Sequence, residues 1–215
     1  MQQSHYILAI YHTLNAHFGS LNWWPGDSPF EVIVGAILTQ NTAWRNVEKA
    51  IAGLKSKGLL SPEGILRVDD QILANLLRPA GYFNIKTHRL KAFIRFLYEN
   101  YDGRLDMMFA EDLWQLREKL LGVKGIGDET ADSILLYAGE KPIFVVDAYT
   151  RRILQRHDII PSDATYKEIQ NLFMTCLPRE VSLYNQYHAL IVSAGKVFCT
   201  SNPHCETCPL RSQFN

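Results

Sequence analysis

A run of glycines, a cluster of cysteines and two basic stretches carry most of the chemistry that residue types and spacing suggest by themselves. Leu121-Gly122-Val123-Lys124-Gly125-Ile126-Gly127-Asp128-Glu129-Thr130-Ala131 places three glycines in six positions. That density allows a tight turn with φ > 0 and no Cβ atoms in the way. A helix starting at about Asp128 would turn its first backbone N–H groups outward, where they can dock a phosphate oxygen. The same pattern also suits an ordinary turn between two helices. Cys199-x5-Cys205-x2-Cys208 puts three of the four cysteines within the last seventeen positions, which suggests metal ligation more than crosslinking. From 71 to 98 there is no Asp or Glu, while Arg78, Lys86, Arg89, Lys91 and Arg95 are basic, and Arg151, Arg152 and Arg156 form a second cluster. Either cluster alone reads equally well as a solvated helix face. Two of them flanking the glycine turn favour a polyanion footprint.

The elements that must position these residues are helical. Leu113, Leu116, Leu120 and Leu121 precede the turn at helical spacing, and Ala131, Ile134, Leu135 and Ala138 follow it in the same way. Tyr6, Ile7, Ile10, Tyr11 and Leu14 mark an N-terminal helix stopped at Gly19. The apolar run Phe30 to Leu38, with Pro29 at its first turn, is too long for a typical strand and reads as a buried helix. Ile143 to Val146 is the best strand candidate, but one strand makes no sheet. The expected fold class is all-α.

Length and composition bound the rest. The chain has 215 residues, 47% hydrophobic and 20% charged, which suits one sizeable core or two small lobes. Twenty-two basic and twenty-two acidic residues cancel, so a polyanion must be held by a local patch. No apolar run reaches the ~20 residues of a membrane span, and the N-terminus lacks the basic start and cleavage site of a signal peptide. The expectation is a protein with no membrane partner, cytoplasmic and prokaryote-like in location. A monomer is expected because no large apolar helix face is left over.

The stretch Leu120 to Ala138 resembles the helix-hairpin-helix of the endonuclease III superfamily of DNA glycosylases. As in that family, it is followed by a loop with Gly139 and Pro142 and then by Val145-Val146-Asp147-Ala148-Tyr149-Thr150-Arg151. The resemblance extends upstream to Leu38-Thr39-Gln40-Asn41-Thr42 and Gly81-Tyr82-Phe83-Asn84, and downstream to the cysteines, so it covers most of the chain. It implies a two-lobed helical protein with a cleft for double-stranded DNA between the lobes. One lobe would span 20–135 with the hairpin at 113–138, and the other would combine 1–19 with 136–215. It further implies base flipping, with Gln40 filling the vacated space and Tyr82 wedged against the opposite strand, although packing or capping would suit either residue. Lys124, Gly125 and Gly127 become DNA contacts of the hairpin.

By the same resemblance Asp147 is the catalytic carboxylate. An anion beside the sugar lowers the barrier to losing the base, and it can orient or deprotonate water. Asp147 also suits a helix cap before Ala148, and one role does not exclude the other. Bifunctional members carry a lysine in the second hairpin helix that forms a Schiff base. Glu129 stands at that position, and a carboxylate forms no imine, so a monofunctional glycosylase is expected. Trp23-Trp24-Pro25 and Trp44 resemble the 3-methyladenine glycosylase branch, with Phe30 and Lys196 as further lining; core packing is the plainer alternative. Indole faces attract a cationic alkylpurine by ~0.5–2 kcal/mol. The alternatives are a glycosylase and lyase for oxidised or mismatched pyrimidines, or a non-catalytic DNA-binding module.

Cys199, Cys205 and Cys208 resemble the superfamily's loop at 199–208, which holds a [4Fe–4S] cluster with four thiolates. The fourth would stand at position 214, where the residue is Phe214. Cys176 is expected inside a helix as a small apolar residue. A cluster completed by His204 or an outside ligand is the preferred reading; zinc or a relic loop fits as well.

Overall fold

The computed structural model of the chain describes residues 2–21 and 23–213. Its helices follow in the order α1 (Gln2–Phe18), α2 (Pro29–Leu38), α3 (Trp44–Ser56), α4 (Pro62–Arg67), α5 (Asp70–Leu77), α6 (Phe83–Tyr101) and α7 (Leu105–Phe109). Then come α8 (Leu113–Leu121), α9 (Asp128–Ser133), α10 (Ala148–Arg156), α11 (Tyr166–Cys176) and α12 (Val181–Val197). There is no strand among the described residues, so the fold is all-α as the spacing predicts. No helix among them is long and apolar enough to cross a membrane.

Local chemistry sets many of the helix starts. Ser28, Ser61, Asp69, Asp112 and Thr165 each accept a backbone N–H of the following first turn, and such caps contribute about 1 kcal/mol apiece. The apolar run after Ser28 is α2, with Pro29 at its first position and Phe30 through Leu38 all buried. A helix apolar on every side has to be surrounded, which explains a pattern without period.

The chain divides into two compact units, one made of 1–24 with 142–215 and the other of 25–141. The residues near both boundaries are held by local bonds. Residues 19–21 are tied to α12, where Gln186 accepts from the Leu21 N–H at 2.9 Å and donates to the Gly19 carbonyl at 2.8 Å. Lys141 is tied the other way, donating to the Glu111 carbonyl at 2.7 Å.

In the first unit, 143–146 is fully buried but belongs to no strand, which corrects the strand candidate. Side chains of α11 replace the missing ladder. The Gln170 amide donates to the Phe144 carbonyl at 2.7 Å, and the Val146 N–H donates to the Tyr166 hydroxyl at 3.3 Å. The Phe144 ring stacks on Phe173 at 3.9 Å and meets Tyr184 and Tyr187 edge-on. The segment is thus a rigid tether leading to Asp147.

In the second unit, two members of the basic run are not solvated. Lys86 is 1% exposed and donates to Thr42 Oγ1 at 2.6 Å and to the Ala80 carbonyl at 2.7 Å. Lys91 donates to the carbonyls of Leu66 and Val68, at the end of α4. These lysines satisfy orphan backbone acceptors, so the polyanion footprint shrinks to Arg78 and Arg95, which are exposed, and the half-buried Arg89. Burial, helped by the charge of Arg89, pushes Lys86 down to about 8 from 10.5. Between those values the unfolded chain binds more protons, so this group makes the fold more stable as pH rises through the window, and its contribution levels off below about 8. An NMR titration of the Lys86 ε-methylene should therefore have its midpoint near 8.

Candidate functional site

The hairpin is built by α8, the turn 122–127 and α9, which continues as one π-helical turn at Ile134–Ala138. Val123 and Ile126 are buried and anchor the turn. Of the three glycines only Gly125 has positive φ, at 93°, while Gly122 is right-handed helical and Gly127 is extended. The positive φ that the turn uses is thus supplied by Gly125. A Cβ on Gly125 would lie 2.3 Å from Arg89 Cγ, whereas one on Gly127 would meet nothing within 4 Å. Gly125→Ala should therefore lose about 1–2 kcal/mol of stability from backbone strain alone. Gly127→Ala, whose methyl meets nothing, should unfold in urea like the wild type.

Gln40 follows α2 and is half-buried. Its amide nitrogen donates to the Gly125 carbonyl at 3.1 Å and to Thr130 Oγ1 at 2.8 Å, while its oxygen accepts from Arg89. In this structure Gln40 is a strut of the hairpin, and entering a DNA stack would require releasing those bonds. Tyr82 caps the start of α6 with φ 45° and is 67% exposed. Lys124 and Glu129 are exposed on the hairpin. The hairpin is braced by Arg117, which no motif singled out. It donates to both oxygens of the fully buried Asp132, at 2.7 and 3.0 Å, and to Asp128 at 2.7 Å.

Asp147 stands at the N-cap of α10 in the other unit, so the capping expectation holds. Its Oδ1 accepts from the Thr150 N–H at 2.7 Å and from Thr150 Oγ1 at 2.8 Å. Its Oδ2 lies 3.6 Å from Nε2 of His188, on α12. The two side chains are 10% and 5% exposed. Burial by itself favours the neutral acid, but His188 and the Thr150 bonds together outweigh it and hold the carboxyl below its usual range. The arrangement is an ionised carboxylate with one oxygen fixed by the helix start and the other left with lone pairs free for chemistry. Sequence reasoning missed His188, a single polar residue in the buried stretch Tyr187–Val192.

The tryptophans do not gather within one unit. Trp23 and Trp24 belong with Asp147 and meet edge-on at 6.0 Å, whereas half-buried Trp44 opens α3 in the hairpin's unit. Phe30, also in that unit, is a core residue of α2. Lys196 Nζ sits 5.5 Å from the Trp23 ring centre, so an ammonium already faces one side of that indole.

The second basic cluster serves the cysteine loop. Arg152 donates to the carbonyls of Cys199 and Gly195, and Arg156 to Cys199 Sγ at 3.2 Å and to the Thr200 carbonyl at 2.6 Å. Arg151 donates to the Ala164 carbonyl. These guanidinium groups clamp backbone carbonyls, and Arg156 remains exposed. Cys205 is exposed and Cys208 half-buried. Burial, with the neighbouring Cys199 and Cys205, raises the Cys208 thiol and favours its protonated form. Cys176 is not inside a helix but ends α11, with its sulfur 3.2 Å from Ser4 Oγ. Position 214 lies outside the described residues. No group of three or more His, Cys, Asp or Glu is arranged to hold a metal among those described. Three thiols are one short of the four thiolates such a cluster takes.

Comparison with known proteins places these features. Residues 34–179 match the family model described as HhH-GPD superfamily base excision DNA repair protein. A putative DNA repair glycosylase of Methanocaldococcus jannaschii is 47% identical over 206 residues, covering 95% of this chain and 94% of that one. Endonuclease III of Sulfolobus acidocaldarius is 30% identical over 183 residues, covering 85% and 79%. Among solved structures, H. pylori 3-methyladenine DNA glycosylase bound to 1,N6-ethenoadenine superposes with a TM-score of 0.75 at 27% identity, covering 90% and 97%. A non-covalent endonuclease III–DNA complex shares the fold, with a TM-score of 0.84 at 21% identity over 97% and 94% of the two chains. With most of its length matched by the family model and by a relative of nearly equal extent, the chain belongs to the HhH-GPD superfamily of base excision DNA repair proteins.

Proposed function

We propose that this chain is a monofunctional DNA glycosylase that acts on double-stranded DNA as a monomer and hydrolyses the N-glycosidic bond of alkylated purines, 3-methyladenine foremost. The observation that carries this reading is Asp147: a buried carboxylate, held ionised, with one oxygen committed to a cap and one not. As the base departs, positive charge grows on the deoxyribose, and an anion fixed in a water-poor site stabilises that charge without reorganising. The free oxygen also suits the orientation of a water for attack at the anomeric carbon. Glu129 stands where a lyase needs an amine, so the reaction ends at the abasic site.

The hairpin's Lys124, Gly125 and Gly127 would grip a phosphate, while Gln40 and Tyr82 would fill and wedge the opened stack. Trp23 and Trp24 support a flat aromatic substrate. The Trp23 indole N–H is buried with no acceptor among the described residues, a donor that a bound base could satisfy. No step is assigned to an iron–sulfur cluster. The Lys196 ammonium beside Trp23 favours a second reading, in which an uncharged oxidised or mismatched base is the substrate.

Duplexes carrying single lesions, incubated with purified protein and analysed with and without alkali, test the proposal. Breaks at alkylated adenine that need alkali are the expected result. Breaks without alkali overturn the monofunctional assignment, and release confined to oxidised or mismatched pyrimidines selects the second reading.

A further inference from the structure

The buried histidine beside Asp147 has a function that neither the hairpin nor the cap requires. His188 lies in the stretch Tyr187–Val192 of α12, all of it buried. An imidazole there carries a desolvation cost that a leucine of similar size would not. Its Nε2 is turned toward Asp147 Oδ2, the one carboxylate oxygen that Thr150 does not hold. The neighbouring Tyr187 hydroxyl does not take part, since it donates to the Ile7 carbonyl at 2.6 Å.

The separation matters. At 3.6 Å the contact is longer than a formed hydrogen bond. A short bond would occupy the lone pair that must face water or sugar. A longer contact between two side chains at most 10% exposed lets the imidazole act on the carboxylate electrostatically, in a medium that screens little, without taking that lone pair. Thr150 fixes the rotation of the carboxyl group, and the imidazole then determines what its second oxygen faces.

We propose that His188 is a positioning residue for the glycosylase reaction: it acts through Asp147, fixing the orientation and balancing the charge of the carboxylate oxygen that faces the departing base. The inference rests on the catalytic reading of Asp147. His188 on α12 acts on that carboxylate from a neighbouring element, and Thr150 acts on it from its own helix. The acidic limb of the rate profile therefore reports the pair.

The test is single-turnover base release against pH for wild type, His188→Gln, His188→Leu and Asp147→Asn. Both His188 variants should lose rate at neutral pH by about tenfold or more, and their acidic limb should move to higher pH, because Asp147 would no longer be held down. Gln, still a donor, should retain more rate than Leu. A merely structural role would lower rate or stability without moving the limb, and that result overturns the proposal, as do unchanged rates. Should the variants not fold, a carbon-13 titration of the Asp147 carboxyl in the wild-type protein gives the same answer. A midpoint below the usual carboxylate range is expected, and an ordinary or raised midpoint overturns the proposal. Asp147→Asn separates the two levels: an active Asn variant removes the catalytic reading itself, whereas an inactive one with normal His188 profiles removes only the inference drawn here.

Discussion

Asp147→Asn should lower single-turnover base release by roughly three orders of magnitude, equivalent to about 4 kcal/mol of transition-state stabilisation, while the protein melts as the wild type does. Both halves of that expectation follow from the division of labour between the two carboxylate oxygens. Asn keeps an oxygen that can accept from the Thr150 N–H and hydroxyl, and Asn ranks with Asp as a helix cap. What Asn lacks is charge at the second oxygen, which faces His188 and not the helix. Asp147→Ala should add a stability loss of about 0.5–2 kcal/mol, the usual effect of deleting a cap. Affinity for lesion-bearing duplex should be unchanged or higher in the Asn variant, because one negative charge is removed from a protein that must approach phosphates. Retained base release in Asp147→Asn would mean that the buried carboxylate is only a cap.

The helices were legible because their signals are local. Serine and aspartate caps, Pro29 at a first turn and the periodic leucines of α8 are all consequences of bonding within a few residues. The buried passage of 143–146 suited a strand for an equally physical reason. A buried apolar tetrapeptide looks the same whether its backbone is satisfied by a neighbouring strand or, as here, by Gln170 and Tyr166 from a later helix. Long-range polar contacts account for the other corrections. Lys86, Lys91, Arg152 and Arg156 looked like a footprint for a polyanion, yet each meets carbonyl groups brought near by the fold. Of the site, Asp147 was found through its setting after the hairpin, a resemblance of order and spacing that periodicity could not supply. His188 left no mark, since one histidine among apolar residues is most often core. Lys196 beside Trp23 modifies the substrate argument: the indole face that would attract a cationic purine already has an ammonium opposite it.

The other large effect expected is structural. Arg117→Met should destabilise the hairpin's unit by about 3–5 kcal/mol, whereas Arg117→Met combined with Asp132→Leu should recover most of that loss. The argument turns on which partner is buried. Asp132 is completely inaccessible and takes two bonds from the guanidinium, while Asp128, about half exposed, takes one. Burial works against the charge of Arg117, but the two carboxylates outweigh it and raise its affinity for the proton above that of a free guanidinium. Removing Arg117 alone therefore takes two charge-assisted bonds from a carboxylate in the interior. Removing both groups leaves no carboxylate there and puts apolar side chains in the space between α8 and α9. Asp128→Asn, by contrast, should cost no more than about 1 kcal/mol, because water solvates what the arginine releases. Urea denaturation of the four proteins measures these differences directly. Equal losses for the single and double variants would locate the brace in packing and not in charge. If the double variant regains stability but binds duplex DNA more weakly than wild type, the ion pair will have been setting the geometry of the turn between Gly122 and Gly127, and not only the stability of the unit that carries it.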